Sequence, residues 1–295
     1  MKSRDGVLGY VAGGLGNQLF ILAAAWAQAK RLGVALYLDL SHHGAKGSWA
    51  YALGDLNFPG VVLTSKSPWR SVRTPGGRVL PFPRDPRALR RVYVEKDDTR
   101  FDPAINSILP GTSMFGYFQS ERYFESIKAE VRRMILSAPE TPREAEYLAG
   151  LASEKRIAVH LRRGDYLLAP ADRRLIASTD YALRARQVLA ALGHDYPLRV
   201  FSDSPELVRA ELAGVDADVE FADEEGLLTP INTIKAMASA EALVMSNSSF
   251  SWWAAWLLQE ERGPSATVVA PRPWNESGTA KADMLKREWL SLDGR

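Results

Sequence analysis

The segment RIAVHLRRGDY, residues 156–166, gives the strongest indication of how this chain folds. Its first four residues are mostly apolar and predict a buried parallel strand, and Arg162 and Arg163 follow after His160 and Leu161. Gly164 permits a turn and a close approach of the backbone to a ligand. Paired guanidinium groups at the carboxyl end of an α/β strand suit a pyrophosphate, because each is always charged and can bridge several oxygens. The alternative, on this segment alone, is a surface ion pair with Asp165.

The composition indicates a soluble globular protein with two domains. A length of 295 residues is long for one hydrophobic core, and 46% hydrophobic with 24% charged residues is typical of a water-soluble chain. A net charge of +2 does not favour nucleic acid or an anionic membrane as a partner. The absence of cysteine excludes disulfides, thiolate nucleophiles and cysteine-ligated metals, and the four histidines lack the spacing of metal ligands.

No segment predicts export or membrane insertion. Residues 1–6 lead directly into a strand and lack the features of a signal peptide. The most apolar long segment, 236–258, is interrupted by Glu241, Asn247 and a group of serines, and no run of about 18 apolar residues exists. We therefore expect a cytoplasmic protein without a transmembrane segment; peripheral membrane association is left open.

Alternating strands and helices predict parallel α/β sheets. Residues 7–12 predict a strand, a glycine-rich turn leads into a helix at 17–32 that Gly33 ends, and a second strand follows at 34–38. Residues 41–87, rich in Gly, Pro and Ser, are predicted to form an irregular insertion. Further strands are predicted at 91–94, 112–117, 157–161, 198–202, 219–222, 243–246 and 267–270, and further helices at 120–136, 181–192, 205–212, 230–240 and 250–260.

The segment 137–143 is the best candidate for a domain boundary, because it holds two prolines and little to bury. We therefore predict domains at residues 1–140 and 141–295. Each is expected to be a doubly wound, Rossmann-like domain, and the two are expected to face each other across a cleft. A last helix that packs back on the first domain is compatible with this arrangement.

The glycine-rich turn near the N-terminus has two interpretations. Gly14 and Gly16, with Asp39 at the end of the second strand, are consistent with a dinucleotide-binding loop. However, Leu19 occupies the position where that fingerprint needs its third glycine or alanine. The glycines are equally consistent with a tight turn between a strand and a helix.

Three other polar side chains also have two interpretations each. Asn17 and Gln18 at the start of a helix could cap it or could bind sugar hydroxyls. Asp203 follows a predicted strand, so it could accept from a ribose, base or sugar hydroxyl, or could cap the helix that begins at Pro205. The sequence alone leaves these alternatives open.

The stretch SNSSFSWWAAW, residues 246–256, is a second candidate anion site. Asn247, Ser248 and Ser249 lie between a predicted strand end and an apolar helix. Backbone N–H groups and hydroxyls at the start of a helix bind anions without a lysine; the alternative is ordinary N-capping with redundant serines. The tryptophans are predicted to pack in the core.

Residues from three strand ends are therefore expected on one rim: Arg162 and Arg163, Asp203, and Ser248 with Ser249. The rim combines cationic forks with a helix N-terminus, and it has neither metal ligands nor a P-loop lysine. This combination suggests that a nucleoside diphosphate binds without an essential divalent ion.

Four motifs together resemble the bacterial α-1,2-fucosyltransferases of glycosyltransferase family 11. They are GGLGNQ at 13–18, GYFQSERYF at 116–124, HLRRGDY at 160–166 and SNSSFSWWAAW at 246–256. The resemblance runs in the right order from about residue 6 to residue 274.

The resemblance implies an α/β, GT-B-like fold, a GDP-β-L-fucose donor, inversion to an α-linked fucoside and no required metal or other cofactor. It implies that Arg162 holds the β-phosphate, that His160 lies near the nucleotide and that Asn17 reaches the reacting sugar. The candidate catalytic residues are therefore Arg162, Asn17 and Asp165. The predicted donor-binding residues are Gly14, Gly16, His160, Arg163, Asp203, Asn247, Ser248, Ser249 and Phe250. We therefore predict a metal-independent inverting glycosyltransferase that acts on a galactose-type hydroxyl of a glycan, with the acceptor against the first domain.

Two departures from the family pattern keep alternatives open. The family has an aspartate where Thr233 stands, and it has two acidic residues where this chain has Asp203 and Ser204. A different NDP-deoxysugar donor is therefore one alternative. The others are a dinucleotide-dependent oxidoreductase built on Gly14, Gly16 and Asp39, and a nucleotide-sugar-binding protein without turnover. Asp165 could be the base or could orient an arginine.

Overall fold

The computed structural model describes residues 5–40, 49–63, 69–73, 79–83, 91–97, 100–164, 177–213, 218–223, 225–274 and 283–294. The chain divides into two compact units, Met1–Met134 and Ile135–Arg295. Asp165 and its neighbours up to residue 176 lie outside the described residues. Each unit is described by itself below. The predicted boundary at 140/141 and the acceptor and donor roles of the domains stay predictions.

The first unit is built on a parallel sheet. Its strands are β1 (Val7–Tyr10), β2 (Leu36–Asp39), β3 (Gly60–Leu63), β4 (Trp69–Arg73), β5 (Val79–Pro83), β6 (Arg91–Val94) and β7 (Thr112–Phe115), and its helices are α1 (Leu15–Leu32) and the start of α2 (Lys128–Leu136). The sheet has the order β3-β2-β1-β7-β6 with every pair parallel, while β4 and β5 form a separate antiparallel pair. Helix α1 is almost wholly buried against this sheet and ends at Gly33, whose φ of 65° suits glycine.

Two predictions for this unit need correction. The segment 41–87 is not irregular throughout, because its described residues include β3, β4 and β5. The helix predicted at 120–136 begins only at Lys128, since two short 3-10 turns, Glu121–Tyr123 and Glu125–Ile127, precede it.

The second unit has a six-stranded parallel sheet. Its strands are β8 (Ile157–His160), β9 (Leu198–Phe201), β10 (Val219–Phe221), β11 (Ala242–Val244), β12 (Thr267–Arg272) and β13 (Leu290–Asp293), and its remaining helices are α3 (Pro142–Ser153), α4 (Thr179–Ala191), α5 (Pro205–Glu211), α6 (Pro230–Ala238) and α7 (Ser249–Arg262). The order β10-β9-β8-β11-β12-β13 is that of a Rossmann sheet, 3-2-1-4-5-6. Buried Val159, Val200 and Val244 contribute to its core, as near-continuous apolar strands of a covered parallel sheet should. The order of strands reverses between β8 and β11.

Helix α3 begins at Pro142, inside the segment 137–143, whose role as the domain boundary stays a prediction. Thr141 is its N-cap, Pro142 occupies its first turn, and the side chain of Glu144 accepts a hydrogen bond from the Thr141 N–H. The buried Glu144 carboxylate also accepts from the Thr229 N–H, 3.0 Å away, and from the side-chain amide of Asn232, 3.0 Å away. These hydrogen bonds lower the pKa of Glu144 to about 2, and the one from the Thr141 N–H has the largest effect. One ionised side chain therefore joins the starts of α3 and α6.

The tryptophans of α7 pack in the core, as predicted. Trp252, Trp253 and Trp256 are fully buried, and successive rings meet edge to face with centroids 5.2 and 5.3 Å apart. The Trp252 indole N–H donates to the Met284 carbonyl, 2.6 Å away. In the part of the chain that the structure describes, α7 is the last α-helix, and it packs against α6 of its own unit. The packing of a last helix on the first domain stays a prediction.

The predicted fold class is confirmed, because two parallel α/β sheets with the doubly wound order build a GT-B-like chain. The expected cleft concerns the arrangement of the units and stays a prediction. Within the described residues, no helix is both long enough and apolar enough to cross a membrane.

Candidate functional site

Three neighbouring strands bring the predicted site residues of the second unit to one edge of its sheet. Strands β9, β8 and β11 lie side by side and parallel, so the residues after their carboxyl ends meet there. His160, the last residue of β8, lies across the switch point from Ser246, with 2.8 Å between Nδ1 and Oγ. Open α/β sheets bind ligands at such a switch point. This edge is the candidate site.

His160 is a neutral member of this site. Its ring is buried, and its centroid lies 5.7 Å from that of Phe250. Burial is the main cause, and the charge of Arg162 the second, of a pKa of His160 that is lowered to about 4. The imidazole is therefore uncharged at pH 7 and contributes hydrogen bonds rather than positive charge.

Asp203 holds the loop that follows β8. Its Oδ1 accepts hydrogen bonds from the backbone N–H of Arg163, 2.8 Å away, and of Gly164, 3.2 Å away. Its Oδ2 lies 3.9 Å from Nε of Arg162. The interpretation of Asp203 as a helix cap does not hold, because Ser204 is the N-cap of α5 and no side chain caps that helix. Asp203 therefore positions the loop and Arg162; its predicted contact with the donor stays a prediction.

The structure separates the two arginines. Nε and Nη2 of Arg163 donate to the two carboxylate oxygens of Glu211, 3.0 and 2.7 Å away, while Nη1 donates to the carbonyls of Ala177 and Arg162. The side chain of Arg163 is only 3% exposed, against 19% for Arg162. Since protein groups occupy most of its N–H donors, the structure does not support the prediction that Arg163 binds the pyrophosphate. Arg163 instead fixes the loop to α5.

The start of α7 also divides into inner and outer residues. Ser248 is buried and caps the helix by accepting from the Phe250 N–H, 3.2 Å away, as the capping alternative predicts. The Asn247 amide donates to the Trp274 carbonyl, 3.1 Å away. Ser249 and Phe250 are half-buried. Those two residues therefore remain the candidates for ligand contact at this helix start.

Thr233, which stands where the family pattern has an aspartate, lies in helix α6 of the second unit. The Thr233 hydroxyl donates to the Thr229 carbonyl, 3.1 Å away and one turn earlier in the chain. The neighbouring Asn232 is fully buried, and its amide donates to Pro139 and Glu144. Both side chains thus support the start of α6 and carry no acidic group for a nucleobase.

The predicted residues of the first unit gather at the switch point between β1 and β7. Gly14 is the N-cap of α1, and no side chain caps that helix, so the interpretation of Asn17 and Gln18 as caps does not hold. Oδ1 of Asn17 instead accepts from the Gln119 amide, 2.7 Å away. Gly16 is buried in the first turn. The donor-binding roles of Gly14, Gly16 and Asn17 stay predictions, and sequence analysis did not single out Gln119.

Parallel doubly wound sheets, with a partly exposed guanidinium and a capped helix start at a switch point, are the arrangement expected of a GT-B-like protein of the α/β class. A family model described as glycosyl transferase family 11 matches residues 110–293. This span is more than half of the chain, and the chain belongs to glycosyl transferase family 11.

Several characterised proteins are similar to this chain. The alpha-1,2-colitosyltransferase of Escherichia coli is 27% identical over 97% of this chain and 99% of its own length. The O-antigen biosynthesis glycosyltransferase WbnK of E. coli is 24% identical over 96% and 99%, and the galactoside 2-alpha-L-fucosyltransferase of Caenorhabditis elegans is 26% identical over 49% and 42%. Among solved structures, the fucosyltransferase NodZ from Bradyrhizobium matches with 17% identity, 86% and 93% coverage and a TM-score of 0.48.

Proposed function

We propose that the edge formed by β9, β8 and β11 binds the pyrophosphate of a nucleotide sugar, and that the protein transfers L-fucose from GDP-β-L-fucose to a galactose-type hydroxyl in α-1,2 linkage. The observation that carries this proposal is Arg162. Its guanidinium follows β8 at the switch point and is partly exposed and oriented by Asp203. His160, the last residue of β8, lies with its ring centroid 5.7 Å from that of Phe250 at the start of α7. Membership of glycosyl transferase family 11 supports the class of reaction.

The charges of this edge suit a departing nucleoside diphosphate. As the bond between the anomeric carbon and the β-phosphate oxygen breaks, GDP takes the electron pair and negative charge grows on it, while the sugar becomes oxocarbenium-like. Arg162 and the N–H groups at the start of α7 are fixed before the reaction begins. They therefore stabilise the transition state more than the ground state, without a metal ion.

Inversion follows from a single displacement. The acceptor oxygen forms its bond to the anomeric carbon on the face opposite the departing GDP, and its proton passes to a base. Asp165 is the candidate for that base and lies outside the described residues. His160 is neutral and buried, with Ser246 on its Nδ1. We assign it the task of shaping the phosphate site.

A colitosyl donor is the second candidate. The 27% identity with the E. coli alpha-1,2-colitosyltransferase covers almost the whole chain. Thr233 does not separate the two donors, because GDP-fucose and GDP-colitose carry the same guanine base; its hydroxyl donates to its own helix and offers no carboxylate to that base in either case. The proposed reaction and the geometry of displacement are the same for both donors.

A panel of nucleotide sugars tests the proposal. The protein is incubated with GDP-fucose, GDP-colitose, other NDP-sugars and NAD, with and without methyl β-D-galactopyranoside, and NMR follows nucleotide release and product formation. We expect release of GDP from GDP-fucose that the acceptor accelerates, with unchanged rates in excess EDTA. Turnover of GDP-colitose alone would select the second donor. Binding of GDP without any turnover, or saturable binding of NAD without GDP binding, would overturn the proposal.

A further inference from the structure

The switch point of the first unit has a chemistry unlike that of the second. We propose that it binds the acceptor sugar, with Trp49 as the platform on which the neutral sugar ring stacks and with the amides of Asn17 and Gln119 beside it. This inference rests on the proposed glycosyl transfer and adds the residue that selects the acceptor.

The position follows from the order of the strands. In the first sheet β1 pairs with β2 on one side and with β7 on the other, so the chain reverses its winding between β1 and β7. The crevice outside the carboxyl ends at such a point is the ligand-binding position of open α/β sheets. Asn17 follows β1 and Gln119 follows β7, and their side chains are hydrogen-bonded at 2.7 Å.

Trp49 is held at this position by a buried glutamine. Gln18 is fully buried; its Nε2 donates to the carbonyls of Ala50 and Gly13, each 2.8 Å away, and its Oε1 accepts from the Ala52 N–H, 2.9 Å away. These bonds fix the segment 49–52 to the start of α1. The burial of Gln18, which no helix-capping role explains, therefore has its reason in positioning Trp49.

The indole of Trp49 lies over the glycine turn while keeping much of its surface in solvent. A Cβ at Gly14 would lie 3.6 Å from Cε3 of Trp49, in ordinary van der Waals contact. Trp49 nevertheless remains 47% exposed, whereas the tryptophans of α7 are fully buried. A large aromatic side chain that is fixed by a buried polar network and half-exposed is typical of a binding surface.

The polar groups at this edge indicate a neutral ligand. Asp39, the last residue of β2 at this edge, is fully buried, and the segments 11–14, 49–53 and 116–119 contain no charged residue. The nearby carboxylate of Glu95 accepts from the N–H groups of Tyr117 and Phe118, 2.8 and 3.1 Å away, and is thereby committed to the backbone. An aromatic face with two amides suits the apolar face and the hydroxyls of a pyranose, whereas the arginine of the second unit suits an anion.

Trp49→Ala and Trp49→Phe test the inference, with Leu109→Ala as the matched control. Leu109 is an exposed apolar residue of the same unit that precedes β7, so it lies toward the opposite edge of the sheet. Saturation-transfer NMR with methyl β-D-galactopyranoside measures sugar binding, and kinetics with the same sugar and GDP-fucose give the acceptor KM. We expect Trp49→Ala to lose the saturation transfer and to raise the acceptor KM about tenfold or more, as the loss of an aromatic anchor should. Trp49→Phe and Leu109→Ala should stay within about threefold of wild type.

Two results would overturn the inference: sugar binding in Trp49→Ala equal to that of Leu109→Ala, or a wild-type protein that shows no saturation transfer to the sugar. The Kd for GDP, measured by calorimetry on every variant, is the internal reference. If GDP and GDP-fucose fail to bind the wild type while Trp49→Ala still abolishes sugar binding, the donor assignment fails and the sugar site stands. If GDP-fucose turns over and Trp49→Ala changes nothing, the sugar site fails and the donor assignment stands.

Discussion

The carboxylate of Asp203 lies directly against the backbone of Gly164. Its Oδ1 accepts the Gly164 N–H at 3.2 Å, and a Cβ built on Gly164 would lie only 2.5 Å from Oδ2. The same carboxylate approaches Nε of Arg162 at 3.9 Å. Glycine at this position therefore lets an acidic side chain orient the arginine that faces the proposed ligand.

Gly164→Ala should reduce fucosyl transfer by about tenfold or more, because the added methyl group displaces Asp203 and with it Arg162. Gly150→Ala is the matched control: Gly150 lies in α3, has no atom within 4 Å of its Cβ position, and should be stabilised by about 0.5–1 kcal/mol. Steady-state kinetics and urea unfolding measure both effects. Equal activity in the two variants would contradict the contact.

Arg162→Ala and Arg163→Ala should fail in different ways. Arg162→Ala should lower transfer by about 100-fold or more with little change in the free energy of unfolding, since its partly exposed side chain serves the ligand. Arg163→Ala should lower the free energy of unfolding by about 2–4 kcal/mol, because the Ala177 carbonyl and Glu211 lose their partner. Urea unfolding and kinetics on the same preparations separate the two. Near-normal turnover in Arg162→Ala would remove it from the site.

The buried His160 should make the protein acid-sensitive. Its pKa is about 4 when folded and near 6.5 when unfolded, so between these values the unfolded chain binds more protons. Above pH 6.5 this difference in pKa contributes its full amount, about 3 kcal/mol, to the free energy of unfolding. The contribution is lost as the pH falls toward 4. Urea unfolding at pH 4 to 8 should therefore show a flatter profile for His160→Asn than for wild type. Parallel profiles would show that His160 is not the group concerned.

Glu144→Gln should destabilise the second unit by about 1–3 kcal/mol. The carboxylate now accepts from the N–H groups of Thr141 through one oxygen and of Thr229 through the other, and the amide would replace one of these oxygens with an NH2 group that opposes the N–H it faces. Glu146→Gln on the exposed face of the same helix should change the free energy of unfolding by less than about 0.5 kcal/mol. Thermal and urea unfolding of the pair give the comparison. A Glu144→Gln variant as stable as Glu146→Gln would mean that the network does not hold α3 to α6.

Most strands were predictable from the sequence because a covered parallel sheet needs short apolar runs, and polar residues mark where each run ends. Helix α3 was missed although its signal was present: Thr141 and Glu144 have the spacing of a capping box, with a proline in the first turn. The prolines were taken for a linker. In this chain Pro142 begins a helix, and Pro139 lies before its N-cap.

The different roles of Arg162, which faces the proposed ligand, and Arg163, which binds Glu211, were not predictable. They depend on a partner far along the chain. Glu211 lies 48 residues from Arg163 and reaches it only after β9 and α5 have packed beside β8. Adjacent arginines look identical in sequence, and only packing shows which one is committed. Gln119 escaped notice for the same reason, since its contact with Asn17 spans 102 residues.

The buried indoles of α7 give the second unit a spectroscopic signature. Trp252, Trp253 and Trp256 are rigid, solvent-free and edge to face, and Trp252 also meets Trp289 with centroids 5.9 Å apart. Immobilised aromatic rings dominate near-ultraviolet circular dichroism, a signal that vanishes when specific packing is lost. Because α7 begins at the proposed phosphate site, that band reports optically on the integrity of the second unit during heating, acidification or ligand titration.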